Sequence, residues 1–221
     1  LIPKKAKKPC PVVICLQGHS TGMHISMGRQ IHEKDFKTPD GSFQDRDIAI
    51  QALSEGYAAL VMEQRGFGER LSEKSAIFDK SPEYAEAVRS FWYSRTGCYH
   101  PSLVAILLGR TLIGERVWDI SRVIDLLPEF PEIDTEKIAC AGNSGGGTAT
   151  YYAACMEERI KVAMPCCSVC SFIESIGIKR HCSCNYIPGI AKYFDMGDIA
   201  CLIAPRKIVM ISGKEDVGFY I

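Results

Sequence analysis

The chain has 221 residues, 47% hydrophobic and 24% charged, with 26 basic and 26 acidic side chains and no formal net charge. That length and balance fit one globular domain with a sizeable core, and they give no net field to favour nucleic acid or an anionic membrane surface. No apolar stretch approaches the ~20 residues of a membrane span, and no signal peptide opens the sequence.

After the basic lead-in Lys4-Lys5-Ala6-Lys7-Lys8, read as solvated, the run from Pro11 to Leu16 is apolar throughout. This is the pattern of a strand buried on both faces of a parallel sheet. Similar runs recur at Ala58 to Met62, Lys137 to Ala141, Ile160 to Met164 and Lys207 to Ile211. Helical patterns separate them. The first spans Gln44 to Glu55 and stops at Gly56; the strongest spans Ser102 to Leu127, with Gly109 and Gly114 as places where it could bend. Strands alternating with helices predict an α/β domain with a mainly parallel sheet, helices on both faces and its site at the carboxyl ends of the strands. We read residues 1–221 as that single domain, with 69–100 and 168–197 as lid or pocket insertions on the ligand side.

The loop after the first strand, Gln17-Gly18-His19-Ser20-Thr21-Gly22, is placed to offer a backbone donor, and we expect it from the N–H of His19. His19 precedes the nucleophile in the chain, so its side chain is not expected to be the catalytic base; His24, His32 and His100 read as surface or loop residues. In Glu63-Gln64-Arg65-Gly66-Phe67-Gly68, Arg65 is read as a structural cation that fixes its loop. Asp134 reads as a turn residue or ion-pair partner.

The most informative junction is Ala141-Gly142-Asn143-Ser144-Gly145-Gly146-Gly147. G-x-S-x-G between a strand and a helix holds a serine in a strained turn where only glycine-sized neighbours fit, and it exposes the hydroxyl at the sheet edge. Ser144 is therefore the candidate nucleophile. The following helix, from Gly145 to about Glu158, opens with N–H groups aimed at the same place, so Gly145 N–H is the second expected oxyanion donor. The acid candidate is Asp216, just past the last strand, with its neighbour Glu215 as the alternative.

Eleven cysteines cannot all pair within one chain, and Cys15, Cys140 and Cys166 lie in apolar strands, which favours a reducing, cytoplasmic setting. The group Cys166, Cys167, Cys170, His181, Cys182 and Cys184 contains ligand types that zinc prefers, but its spacing is poor for a zinc site. These are read as packing and loop thiols, and no metal or other cofactor is expected.

With these residues in place the sequence resembles the α/β-hydrolases, and within them the acetyl xylan esterase and cephalosporin-C deacetylase relatives of the dienelactone-hydrolase-like group. The resemblance runs through Leu16-Gln17-Gly18-His19-Ser20, Gln64-Arg65-Gly66-Phe67-Gly68, Gly114-Glu115-Arg116-Val117-Trp118-Asp119, Gly142-Asn143-Ser144-Gly145-Gly146 and Ala204-Pro205-Arg206 leading to Gly213-Lys214-Glu215-Asp216. It implies Ser144 as nucleophile, Asp216 as triad acid, no cofactor, and small acyl esters, often acetyl groups on carbohydrates, as substrates. It also implies a triad histidine after the acid, which is expected beyond Ile221. His181 is the internal substitute. Gln17-Gly18 stands where relatives commonly carry His-Gly. Other readings are a serine peptidase or thioesterase of the same fold, or a hydrolase-like protein that binds without catalysis. The sequence leaves the oligomeric state open.

Overall fold

The computed structural model describes residues 1–19, 21–31, 46–70 and 97–214. Among these residues five strands form one sheet: β1 (Cys10–Leu16), β2 (Ala58–Val61), β3 (Ile133–Asn143), β4 (Ile160–Cys166) and β5 (Lys207–Ile208). They lie in the order β2-β1-β3-β4-β5, and every pairing is parallel. The continuous apolar runs follow from this arrangement, because helices cover both faces of a parallel sheet. Val12, Ile14, Cys15 and Leu16 are completely buried.

The helices are α1 (Met23–Ser26), α2 (Ile48–Ser54), α3 (Tyr99–Leu107), α4 (Leu112–Ile124), α5 (Gly145–Met156) and α6 (Met196–Ile199). The single helix expected over 102–127 is two helices. Gly109, at φ +69°, takes the left-handed conformation that terminates α3. Thr111 then caps α4, its hydroxyl accepting from Gly114 N–H at 3.0 Å, so Gly114 lies in a first turn instead of at a bend. Helix α5 is buried almost all round, every residue from Gly145 to Cys155 lying inside, where it packs against β3, β4 and α4.

Register sets the site. Leu16 pairs with Gly142, and Asn143 pairs with Cys166, so the chain leaves β1, β3 and β4 at one level. The last strand, β5, is separated from the strand that carries Ser144 by β4. Backbone pairing past β5 continues to Ile211, whose carbonyl accepts from Cys167 N–H at 2.7 Å. Asp216 and Glu215 lie outside the described residues, as do most of 69–100 and His32.

Candidate functional site

Ser144 stands between β3 and α5 at φ 52°, ψ −115°, left-handed backbone that a residue with a Cβ adopts only under constraint. The constraint is visible on both sides. Ser144 N–H donates to the Cys166 carbonyl at 2.8 Å, tying the turn to β4, and Ser144 carbonyl accepts the Thr148 N–H at 2.8 Å. Around it the glycines allow contacts that a methyl would block. A Cβ on Gly145 would lie 2.8 Å from His19 Cε1 and 2.9 Å from Phe67 Cζ; one on Gly146 would run into the Leu16 and Gln17 backbone. The Gly142-Asn143-Ser144-Gly145-Gly146-Gly147 run thus lets α5 begin directly against the end of β1.

Because Gly145 opens α5, its N–H belongs to the first turn, whose donors have no intrahelical acceptor. The loop after β1 is held from behind by Gln17. Its buried amide donates to Ser26 Oγ at 2.6 Å and to the Arg46 carbonyl at 2.7 Å, while Gln64 Nε2 donates to the Gln17 carbonyl at 2.7 Å. Gln17 at the position of the more common histidine therefore makes a specific anchor.

The structure brings the His19 imidazole to Ser144, with Nδ1 3.1 Å from Oγ. Sequence order had assigned that neighbourhood only a backbone donor from His19. The other ring nitrogen, Nε2, lies 3.2 Å from Cys184 Sγ, and the ring stands edge-on to Phe67. His181 is placed elsewhere, its Nε2 3.1 Å from Ser175 Oγ. His24 is buried instead of at the surface, whereas His100 is exposed as expected.

Around His19 are three thiols from distant parts of the chain: Cys98 at the start of α3, and Cys182 and Cys184 flanking Ser183. The His19 nitrogen and the three sulfurs all lie within 4.8 Å of one another. Cys98 and Cys184 are fully buried. Burial pulls the His19 imidazole down, but the Cys182 and Cys98 sulfurs outweigh it and raise the group to about 9. Hydrogen bonds from Cys184 and Cys98, with His19 close by, hold the Cys182 thiol far below the usual range. The strand thiols differ: burial above all drives Cys15 and Cys140 up to about 12.

Arg116 completes this layer. It is the largest fully buried side chain among the described residues, lying 4.3 Å over the Phe67 ring and donating to the Arg65 carbonyl through Nε at 3.1 Å and Nη2 at 2.6 Å. Nη2 also donates to Cys98 Sγ at 3.1 Å, and Nη1 is buried without a hydrogen-bond partner among the described residues. The sequence signal for Arg116 is its position three residues after Ile113 and four before Ile120, on the buried stripe of α4. Nothing in the spacing marks Cys98.

Arg65 has the structural role expected of it. It grips Asp119 with Nε and Nη2, each at 2.8 Å, and reaches Glu115 with Nη1 at 3.0 Å, fixing the loop after β2 to α4. Burial would raise the Asp119 carboxyl, but Arg65 and Arg70 hold it below its ordinary value. Asp134 pairs with Lys137 at 2.9 Å, within β3 instead of in a turn before it.

Comparison with known proteins agrees with this architecture. Residues 111–174 match the family model for glucuronyl esterase of fungi. The chain is 27% identical over 219 residues, 97% of its own length, to "Putative hydrolase YtaP" of Bacillus subtilis (strain 168), and spans 63% of that protein. Among solved structures it is similar to a "putative acetyl xylan esterase (BF1801)" from Bacteroides fragilis NCTC 9343, with a TM-score of 0.71, 17% identity, and coverage of 95% of this chain and 53% of that one. A glucuronoyl esterase from Solibacter usitatus gives a TM-score of 0.61 at 17% identity, covering 98% of this chain and 59% of the other. The chain spans little more than half the length of these solved relatives. No helix among the described residues is long and apolar enough to cross a membrane. Sheet order, the strained serine between β3 and α5 and these likenesses together place the chain in the α/β-hydrolase fold, where it resembles the acetyl xylan esterase and glucuronoyl esterase proteins.

Proposed function

We propose that the protein is a serine carboxylesterase acting on small esters of carbohydrates, with Ser144 as nucleophile. The observation that carries this reading is the left-handed Ser144 at the strand-to-helix turn, a conformation that costs of order 1–3 kcal/mol and presents the hydroxyl at the mouth of the sheet. Ser144 Oγ attacks the ester carbonyl, the tetrahedral oxyanion is held by the N–H groups of Gly145 and His19, the alcohol departs, and water releases the acid from the acyl-enzyme. Asp216 is assigned the triad acid, with a histidine that follows it in the chain as the base. The chain order of the fold supports that assignment, and so does the engagement of His181 with Ser175.

A second reading concerns which side of the ester carries the sugar. The acetyl xylan esterase likeness favours acetyl groups on sugar hydroxyls; the match of 111–174 to glucuronyl esterase favours esters of a uronic acid carboxyl. Initial rates of the full-length protein on acetylated xylan, p-nitrophenyl acetate and methyl glucuronate separate the two. Acetate release lost in Ser144→Ala supports the first, and methanol release lost in the same variant supports the second. Binding of these esters with no turnover of any would overturn the esterase assignment, and turnover of peptides or acyl thioesters alone would replace it.

A further inference from the structure

We propose that His19, Cys98, Cys182 and Cys184 bind one zinc ion in a closed structural site directly behind the nucleophile. Chain spacing had argued against metal because it offered a different set, Cys166 to Cys184 with His181. Folding separates Cys182 and Cys184 from that set and supplies His19 and Cys98 in its place.

Four ligand atoms, three sulfurs and one imidazole nitrogen, are the complement of a tetrahedral structural zinc, and four protein ligands leave no position for water. Their mutual separations of no more than 4.8 Å suit atoms sharing one ion of that size. The charge balance supplies an independent argument. Zinc with three thiolates carries one net negative charge, and the fully buried Arg116 supplies one positive charge, with Nη2 on Cys98 Sγ. Among the described residues no carboxylate is recorded on Arg116; its recorded acceptors are the Arg65 carbonyl and that sulfur. A buried guanidinium needs a compensating charge, and neutral thiols do not provide one.

The surroundings also resemble those that support metal ligands. A histidine bound through one nitrogen donates from the other, fixing its tautomer. With Nε2 on zinc, His19 Nδ1 carries the proton and donates to Ser144 Oγ across 3.1 Å. His19 is then a positioning residue for the nucleophile and has no free lone pair with which to act as its base. Zinc binding releases to solvent the protons that the metal-free sulfurs and His19 Nε2 hold between them, and ties the loop after β1, the start of α3 and the segment 182–184 into one unit. The site stands whether or not Ser144 proves to be a nucleophile.

The test is elemental analysis of the full-length protein, expressed in zinc-supplemented medium and purified without chelator. About one zinc per chain is expected. The double variant Cys182→Ser/Cys184→Ser should carry at least tenfold less, while Cys201→Ser, which alters an exposed thiol outside the group, should keep it. Should the double variant fail to fold, cobalt(II) exchanged into the wild-type protein supplies a second readout. The intense visible absorption of tetrahedral thiolate-bound cobalt supports the site, and octahedral-type weak absorption overturns it. Wild-type protein free of zinc, a Cys182–Cys184 disulfide found by mass, or full zinc content in the double variant would each also overturn the proposal.

Discussion

Gly146→Ala tests whether the glycines after Ser144 exist to let α5 meet β1. The added methyl would lie 2.6 Å from the Leu16 carbonyl carbon and 2.7 Å from the Gln17 oxygen, against an ordinary contact of about 3.5 Å. The neighbours are backbone at the end of β1, with the Leu16 carbonyl oxygen nearer still, so relief requires α5 to withdraw by roughly 1 Å over this turn. Overpacking of this kind costs about 1–3 kcal/mol, and replacing a helical glycine by alanine returns up to ~1 kcal/mol. The net expectation is a loss of about 1–2 kcal/mol, read as a lower urea midpoint at unchanged slope. Because the same shift moves Ser144 and the Gly145 donor, ester turnover should fall by about 10²-fold. Gly197→Ala is the control: its methyl meets nothing within 4 Å in α6, so stability should rise by about 0.5 kcal/mol with activity unchanged. Wild-type stability and turnover in Gly146→Ala would refute the close-approach argument.

Ser144→Ala should reduce ester hydrolysis by about 10⁴-fold or more while leaving the unfolding midpoint the same or higher, since it keeps the fold and removes only the hydroxyl; a fluorophosphonate should label Ser144 in the wild type and leave the variant unlabelled. Arg116→Met should destabilise by about 3–5 kcal/mol in denaturant titration, because it strips two hydrogen bonds from the Arg65 carbonyl and leaves the sulfur group without its cation. Glu157 accepts from Arg159 Nε at 2.7 Å, Nη2 at 2.6 Å and Ser121 Oγ at 2.7 Å, and Arg159 first among these holds its carboxyl down at about 2. Its stabilisation is therefore complete above the ordinary value of 4.5 and fades as pH falls toward 2. Arg159→Ala should lower thermal stability at pH 6 by about 1 kcal/mol, the guanidinium itself being half in solvent, and the difference should vanish near pH 2.

The sheet was legible because a parallel strand buried on both faces has to be apolar along its length, and each of the five runs became a strand or paired segment. Their edges were less so: β3 begins at Ile133, four residues before the apolar run, since Asp134 and Lys137 satisfy each other at the sheet's end. The split of the long helix was missed because Ile106 and Leu107 continue an apolar pattern up to Gly109, although Ile106 and Leu107 are in fact exposed. Ser144 was legible because its chemistry needs a local backbone strain that the neighbouring glycines betray. Helix α5 carried the same information in its first turn, where Gly145, Gly146 and Gly147 leave room for His19 and for the ends of β1 and β4.

The arrangement around His19 was not legible, because proximity between residues 19, 98, 182 and 184 arises only from the fold. His19 leaves the end of β1, whereas Cys182 and Cys184 belong to the chain that follows β4, two strands across the sheet, and Cys98 comes from the start of α3. A histidine next to a serine invites assignment as its base, yet the imidazole at this place is shared. Its Nδ1 faces Ser144 Oγ and its Nε2 faces Cys184 Sγ. A general base must first lose the proton on the nitrogen that faces the serine, and a ring held between a sulfur and a hydroxyl has to keep one nitrogen protonated. If the sulfur side binds metal, that proton resides on Nδ1 and His19 donates to the serine. His19→Gln, whose amide can still donate but cannot act as a base, separates the two roles. As donor and ligand, His19 should cost about 10–100-fold in turnover with the alkaline pH profile unchanged; as base, it should cost about 10⁴-fold and abolish the acidic limb. The second outcome would place His19 in the triad and displace the histidine assigned after Asp216.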